Sequence, residues 1–497
     1  MVSRPRRITG VPRSPSTVPF AVPLTLAIAL VLTACGGGVQ GKPGASGVRD
    51  PYFPKLGNGG YDVTHYGLTL AYDPGTERLT GTAEITARAT QDLSAFNLDL
   101  KGLNVTAVTV TGGGEDAGQR PGGSGGPGED ARWNRAGHEL TVRPHDDLDE
   151  GDTFRTTVRY SGTPETLTDP DGSQEGWLHT ADGVLALGEP TGSMTWFPGN
   201  HHPSDKASYD VKVTVPEGLQ AVSNGELKDE STLDNRATFA WHTAEPMASY
   251  AATVAIGRYD LTRTTTKDGL PVVVAVDPTQ AAASRKALAG IPGILEWEEA
   301  AFGPYPFSSA GAIVDREDDV DYALETQNRP VFPGAPDTEL LVHELAHQWY
   351  GDSVTPESWQ DMWLNEGFAT YAEWLWQEDH DGDTAEEIFD SLYEGDYFDD
   401  PDLDEAVWAF PPAKPSSAAN ISDSPVYERG AMVLHKIRRT VGDDTFRGIL
   451  RGWAAAHRHG NATTADFTAY VEKSAPDADF GEIWEDWLYG EGKPARP

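Results

Sequence analysis

Cysteine is almost missing from this 497-residue chain: Cys35 is the only one. An internal disulfide and a cysteine-based zinc site are therefore excluded. Basic residues are scarce too, 38 Lys and Arg against 77 Asp and Glu, for a formal net charge of −39. Such a surface argues against nucleic acid and against electrostatic binding to anionic lipid, and its field attracts cations. Long apolar runs are limited to Phe20–Leu32, so no second membrane span is expected, and no internal repeat is found. That one run follows Arg4, Arg6, Arg7 and Arg13 and ends in Leu32-Thr33-Ala34-Cys35, which reads as a signal peptide over residues 1–34. The ending resembles a bacterial lipobox, in which Cys35 is lipidated and becomes the new N-terminus. An ordinary signal beside an incidental cysteine is the alternative. The expected location is extracytoplasmic, anchored at Cys35 or secreted. Residues 1–34 hold four arginines and no acid, so their removal takes the charge to −43. Residues 35–58, glycine-rich at first, read as a flexible tether.

What is present falls into two halves. From residue 59 to 260 short alternating runs dominate, such as Tyr66, Leu68, Leu70, Tyr72 and then Ala83, Ile85, Ala87. These predict strands with one buried face and a β-rich N-terminal domain. The Gly112–Asp130 stretch, rich in glycine and poor in apolar residues, predicts a disordered loop between two strands. Residues 261–497 read as a mixed α/β-to-helical domain, with a strand at Pro271–Val276 leading into helices. Glu378–Glu405 is strongly acidic; Asp379, Asp381 and Asp383 miss the calcium-loop spacing, and a solvated acidic face is expected.

The chemistry is concentrated in His343-Glu344-Leu345-Ala346-His347 and in Glu366, nineteen residues after His347. Positions i and i+4 share one face of a helix, so His343 and His347 can offer two imidazoles to one metal. Glu366 sits in Trp363-Leu364-Asn365-Glu366-Gly367-Phe368, where a polar pair interrupts an apolar stretch. A carboxylate buried there needs a partner, and one Zn2+ per chain held by His343, His347 and Glu366 supplies it. Glu344, beside the ligands, is the expected general base. Pro336 and Asp337 mark the start of the histidine helix, Leu341, Leu345 and Trp349 its core face, and Gly351 its end. A second helix is expected from near Asn365.

HELAHQWYGDSVT followed by WLNEGFATY resembles the aminopeptidase-N-type zinc metallopeptidases, the gluzincin group. FGPYPF (Phe302 to Phe307), YALETQ (Tyr322 to Gln327), VYERGAMVLHKIR (Val426 to Arg438) and GEPTGSMTWFPGNHHPSDKASYDVKVTVP (Gly188 to Pro216) extend the resemblance, in the family's order, from about Tyr61 to the end. It implies a β-rich saddle or sandwich joined to a thermolysin-like catalytic domain. It also implies Tyr427 as the donor to the developing oxyanion, and Glu325 and Glu189 as anchors for a substrate amine, on a substrate-lining strand in the case of Glu325. Three positions depart from the family: its glycine is Tyr322 here, its methionine is Leu324 and its asparagine is Thr326. Its Phe-Pro-Cys reads Phe197-Pro198-Gly199. The family's large helical C-terminal domain is not expected, because the chain ends about seventy residues after Tyr427.

The expected activity is hydrolysis of the N-terminal peptide bond of peptides by a monomer, with no nucleic-acid partner and membrane contact only through Cys35. An endopeptidase on the same scaffold, and a non-catalytic peptide-binding lipoprotein, are the alternatives.

Overall fold

The computed structural model describes residues 41–112, 128–317 and 319–496. The expected signal peptide, Cys35 and nearly all of the expected 112–130 loop lie outside the described residues. Of that loop, Glu129–Asp130 forms a short strand against Thr109 and Val110.

Alternating side chains build the N-terminal half. Tyr61–Asp73 buries Tyr66, Leu68, Leu70 and Tyr72 on one face, each 1% exposed. It lies at the centre of an eight-stranded sheet ordered Glu226–Leu233, Arg236–Ala248, Lys206–Pro216, Tyr61–Asp73, Arg78–Ala89, Thr153–Gly162, Asn104–Thr111, Glu129–Asp130. All neighbours are antiparallel except Lys206–Pro216 beside Tyr61–Asp73. A five-stranded sheet containing Gln174–His179, Val184–Leu187 and Val254–Gly257 packs into the same core.

The second half opens on a four-stranded sheet that includes Pro271–Val276, the strand expected there. Helices follow: α1 (Ala281–Leu288), α2 (Ile291–Phe302), α3 (Thr338–Ala346), α4 (Trp363–Asp379), α5 (Ala385–Glu394), α6 (Pro401–Ala406), α7 (Gly430–Val441), α8 (Asp443–Ala456) and α9 (Thr464–Ser474). Among the described residues no helix is long and apolar enough to cross a membrane. The acidic Glu378–Glu405 stretch lies mostly at the surface, although Asp404 is buried and Glu378 pairs with Arg438.

The tether expectation fails over residues 41–58. Lys42–Pro43 pairs in parallel with Leu93–Ala95. The Asp50 carboxylate accepts from the amides of Tyr52, Phe53 and Trp359 and faces His202 at 3.3 Å. Composition suggested a flexible segment, but these fixed donors hold it against the fold.

Buried cations join the halves. Lys206 Nζ donates to the carbonyls of Asp352, Ser353 and Gly460. The Arg329 guanidinium donates to the carbonyls of Ser223 and Gly225 and lies 4.6 Å above the Trp241 ring.

Helices α4 and α7 meet at two glycines. A Cβ on Gly367 would sit 3.0 Å from the carbonyl carbon of Gly430, closer than ordinary contact. Gly367 follows Glu366, and Gly430 lies three residues after Tyr427, so this approach sets the spacing of two candidate site residues. Helix propensity alone favours Gly367→Ala by about 1 kcal/mol, whereas overpacking costs about 1–3 kcal/mol. Urea unfolding of Gly367→Ala is expected to show a net loss of stability; an unchanged or raised midpoint would mean that α7 yields freely.

Candidate metal centre and its cleft

The Asp337 carboxylate caps α3, accepting from the Leu340 amide at 2.9 Å, as the sequence suggested. The helix ends at Ala346, short of the expected Gly351. Beyond it the amides of Asp352, Ser353 and Val354 reach back to the carbonyls of His347, Gln348 and Trp349, which opens the coil. His347 keeps helical dihedrals, and its amide still donates to the His343 carbonyl, so the i, i+4 relation survives. Helix α4 starts at Trp363, with Glu366 in its first turn.

These two helices bring three ligand atoms together. His343 Nε2 and His347 Nε2 lie 3.2 and 3.3 Å from Glu366 Oε2. Their other ring nitrogens are already engaged: His343 Nδ1 with Glu373 Oε1 at 2.5 Å, His347 Nδ1 with the Tyr350 carbonyl at 3.1 Å. Both Nε2 atoms thus remain for a metal, in the arrangement that a zinc site with a fixed outer shell requires. Burial disfavours charge on His347, yet Glu366 and Glu325 outweigh it and hold the imidazole at about 9. Burial likewise pushes the Glu366 carboxyl up, but the imidazoles win and keep it below the usual range. The pocket favours positive charge at this point, and a dication fits it.

Glu344 is 4% exposed, and its Oε2 has no hydrogen-bond partner. Burial pushes its carboxyl up to about 8 against the lowering effect of His343 and His347. Glu325 Oε1 accepts from Asn365 Nδ2 at 2.8 Å. Glu189, Glu325 and Glu366 each offer an oxygen within 4.8 Å of the others. Glu325 is not on a strand. It sits in a loop with a single bridge, Leu324 to Val331, and the loop is fixed by Gln327 N–H donating to Ala251 and by Arg329. Tyr427 lies on a wide turn, Pro425–Arg429, with its ring stacked 6.1 Å from His343 at an interplanar angle of 14°. Arg429 secures that turn by donating to the carbonyls of Trp487, Asp486 and Gly490.

All seven residues singled out in the sequence line one cavity of about 660 Å3. Sequence reasoning missed three of its residues, Glu373, Asp169 and Asp171. Glu373 lies seven residues after Glu366, two helical turns on the same face, and that spacing was the available signal. Asp169 and Asp171 also line the cavity, and nothing local marks them. Tyr322 lines it as well; its hydroxyl donates to the Gln174 carbonyl at 3.0 Å, which fixes the bulky ring as part of the wall.

Residues 62–251 match the peptidase M1 N-terminal domain, and residues 327–487 match the peptidase family M1 domain. The chain belongs to peptidase family M1. It resembles the crystal structure of an M1 zinc metallopeptidase from Deinococcus radiodurans bound to a Tyr-Ser-Ala substrate: 29% identity, TM-score 0.79, covering 91% of this chain and 99% of that one. A two-domain M1 zinc metallopeptidase bound to L-arginine gives a TM-score of 0.80 at 29% identity, with the same coverage. Curated relatives include the glutamyl aminopeptidase of Rattus norvegicus, 24% identical over 86% of this chain and 47% of its own length. The probable aminopeptidase 2 of Sulfurisphaera tokodaii is 27% identical over 62% of this chain and 41% of its own length. This chain thus spans less than half the length of those curated relatives. The two-domain M1 fold and the zinc cofactor expected from the sequence hold.

Glu373 orients His343 from behind. Glu373→Ala is expected to weaken zinc binding by about 10- to 100-fold, measured by competition with a chromogenic chelator. Unchanged affinity would remove Glu373 from the metal centre.

Proposed function

We propose that the chain is a zinc-dependent aminopeptidase that hydrolyses the N-terminal peptide bond of peptides. The observation that carries this reading is the placement of Glu189 and Glu325 beside Glu366, within 4.8 Å oxygen to oxygen. Carboxylates at that distance from the metal ligands suit a free ammonium and hold the first peptide bond at the reacting centre. His343, His347 and Glu366 would hold the zinc, which would supply Lewis acidity at the scissile carbonyl and the attacking water. Glu344, with a free buried oxygen facing the cleft, accepts a proton from that water and passes it to the leaving amine. Tyr427 donates to the oxygen that gains negative charge. Asn365, hydrogen-bonded to Glu325, fixes the direction of the amine anchor.

The cavity also favours a substrate class. Asp169 is 8% exposed, its Oδ1 has no partner, and it lines the cavity with Asp171. No lysine or arginine lines that cavity among the described residues. A guanidinium or ammonium on the first substrate residue would give Asp169 the charge partner it lacks.

The test is a panel of aminoacyl-nitroanilides, each free and N-acetylated. Cleavage of free substrates only is expected, with loss of about two to three orders of magnitude in kcat for Tyr427→Phe and near-abolition for Glu344→Gln. Equal cleavage of acetylated forms would favour an endopeptidase on the same scaffold instead. Within the panel, arginyl and lysyl substrates are expected to lead, and Asp169→Asn should cut their kcat/KM by about 10- to 100-fold while sparing leucyl substrates. Burial, then Glu175 and Asp171, pushes the Asp169 carboxyl up to about 8. It ionises as pH rises through that value, so the arginyl-to-leucyl ratio should climb with pH in the native chain and stay flat in Asp169→Asn. A ratio that falls with pH would exclude Asp169 as the selector.

A further inference from the structure

A second set of donors converges in the β-rich half, apart from the residues of the cleft. Asp99 ends the strand Leu93–Asp99 and pairs directly across the sheet with Glu139, the first residue of Glu139–Arg143. One Asp99 oxygen, Oδ2, is fully used: it accepts from the amides of Gly57 and His201 and from Asn58 Nδ2. The other, Oδ1, has no partner, although the side chain is 0% exposed. Both carboxylate oxygens of Glu139 are buried and unpartnered as well. His138 Nε2 points between them, 3.8 Å from Asp99 Oδ1 and 3.9 Å from Glu139 Oε1, and 3.1 Å from the Lys55 carbonyl oxygen.

From this geometry we infer a second zinc site, formed by His138, Asp99 and Glu139, with the Lys55 carbonyl as a further oxygen donor. One atom from each of the three side chains lies within 4.8 Å of the others, a span that one ion can close with small rotamer adjustments. The donor set is one nitrogen and several oxygens, and the imidazole argues for a transition ion over calcium or magnesium. Charge balances: two carboxylates and a neutral imidazole match a dication. Burial raises both carboxyls, Glu139 to about 7, and the facing Glu139 adds to the rise at Asp99, so an ion placed between them would relieve both at once. Asp99 is held by fixed amides, while His138 and Glu139 are 23% and 15% exposed at their side chains. The site is thus rigid at its base and open to an ion on its outer side. The bound ion would pin residues 55–58 to the sheet, a structural role independent of peptide hydrolysis. Glu129, His145 and Asp146 also lie close together, but all three are exposed and solvated, and they carry no such inference.

The full chain, stripped with a chelator, reloaded with zinc and freed of excess metal by gel filtration, tests this by mass-spectrometric metal counting. The native chain is expected to hold two zinc ions, the His343→Ala/His347→Ala variant one, and that variant with His138→Ala and Glu139→Gln added none. One ion in the native chain and none in the His343→Ala/His347→Ala variant would overturn the inference. A second measurement leaves the new site untouched: thermal unfolding of His343→Ala/His347→Ala with and without zinc. A zinc-dependent rise of a few degrees is expected from binding to the folded state alone, and no rise would equally overturn the site.

Discussion

Carboxylates repel one another, and the cleft holds Glu189, Glu325, Glu344 and Glu366 within one cavity around two imidazoles. Those four acids come from four places in the fold: the segment before Gly192–Thr195, the loop before Val331, helix α3 and helix α4. Left to themselves, four acids in a dry pocket would separate or take up protons. The arrangement persists only if the scaffold fixes each segment and the pocket receives positive charge. The first is the task of buried contacts outside the cleft; the second falls to the metal and to the substrate amine.

The fixing is done largely by cations that bind backbone rather than carboxylates. Lys206, Arg329 and Arg429 are each directed at two or more carbonyl oxygens. Each holds a segment of the site: Lys206 the coil after His347, Arg329 the Glu325 loop, Arg429 the Tyr427 turn. Burial lowers all three from their usual values, Lys206 to about 7. Buried charge of this kind is costly unless its hydrogen bonds are complete. Spending it on carbonyls keeps the cations from neutralising the acids that the cleft requires.

This division explains what was legible in the sequence. Strand alternation such as Tyr66, Leu68, Leu70 and Tyr72, the Asp337 cap and the His343–His347–Glu366 set follow from local periodicity and spacing, and the structure carries them as expected. The end of α3, the loop at Glu325 and the packing of residues 41–58 depend on partners over a hundred residues away in several cases, such as Lys206 with Ser353 or Asp50 with Trp359. No window of sequence contains those partners. Glu373 is the intermediate case: its spacing from Glu366 was visible, but only the fold shows that His343 Nδ1 is its partner.

Unpartnered buried carboxylates do not all mean the same thing, and the comparison sharpens which of them call for a cation. Glu175 is buried yet complete, accepting from the amides of Thr191 and Gly192 and from the Thr191 hydroxyl. Glu298 is the opposite: both oxygens are unpartnered, it is 0% exposed, and burial alone raises it well above the usual carboxyl range. A lone acid in that position takes a proton, since no second donor is at hand to share a metal. Asp99 and Glu139 differ because a second carboxylate and an imidazole nitrogen converge on the same point. Glu366 shares that property with His343 and His347. Convergence of donors, more than burial of any one of them, is therefore the feature that separates a metal site from a protonated acid in this acidic chain.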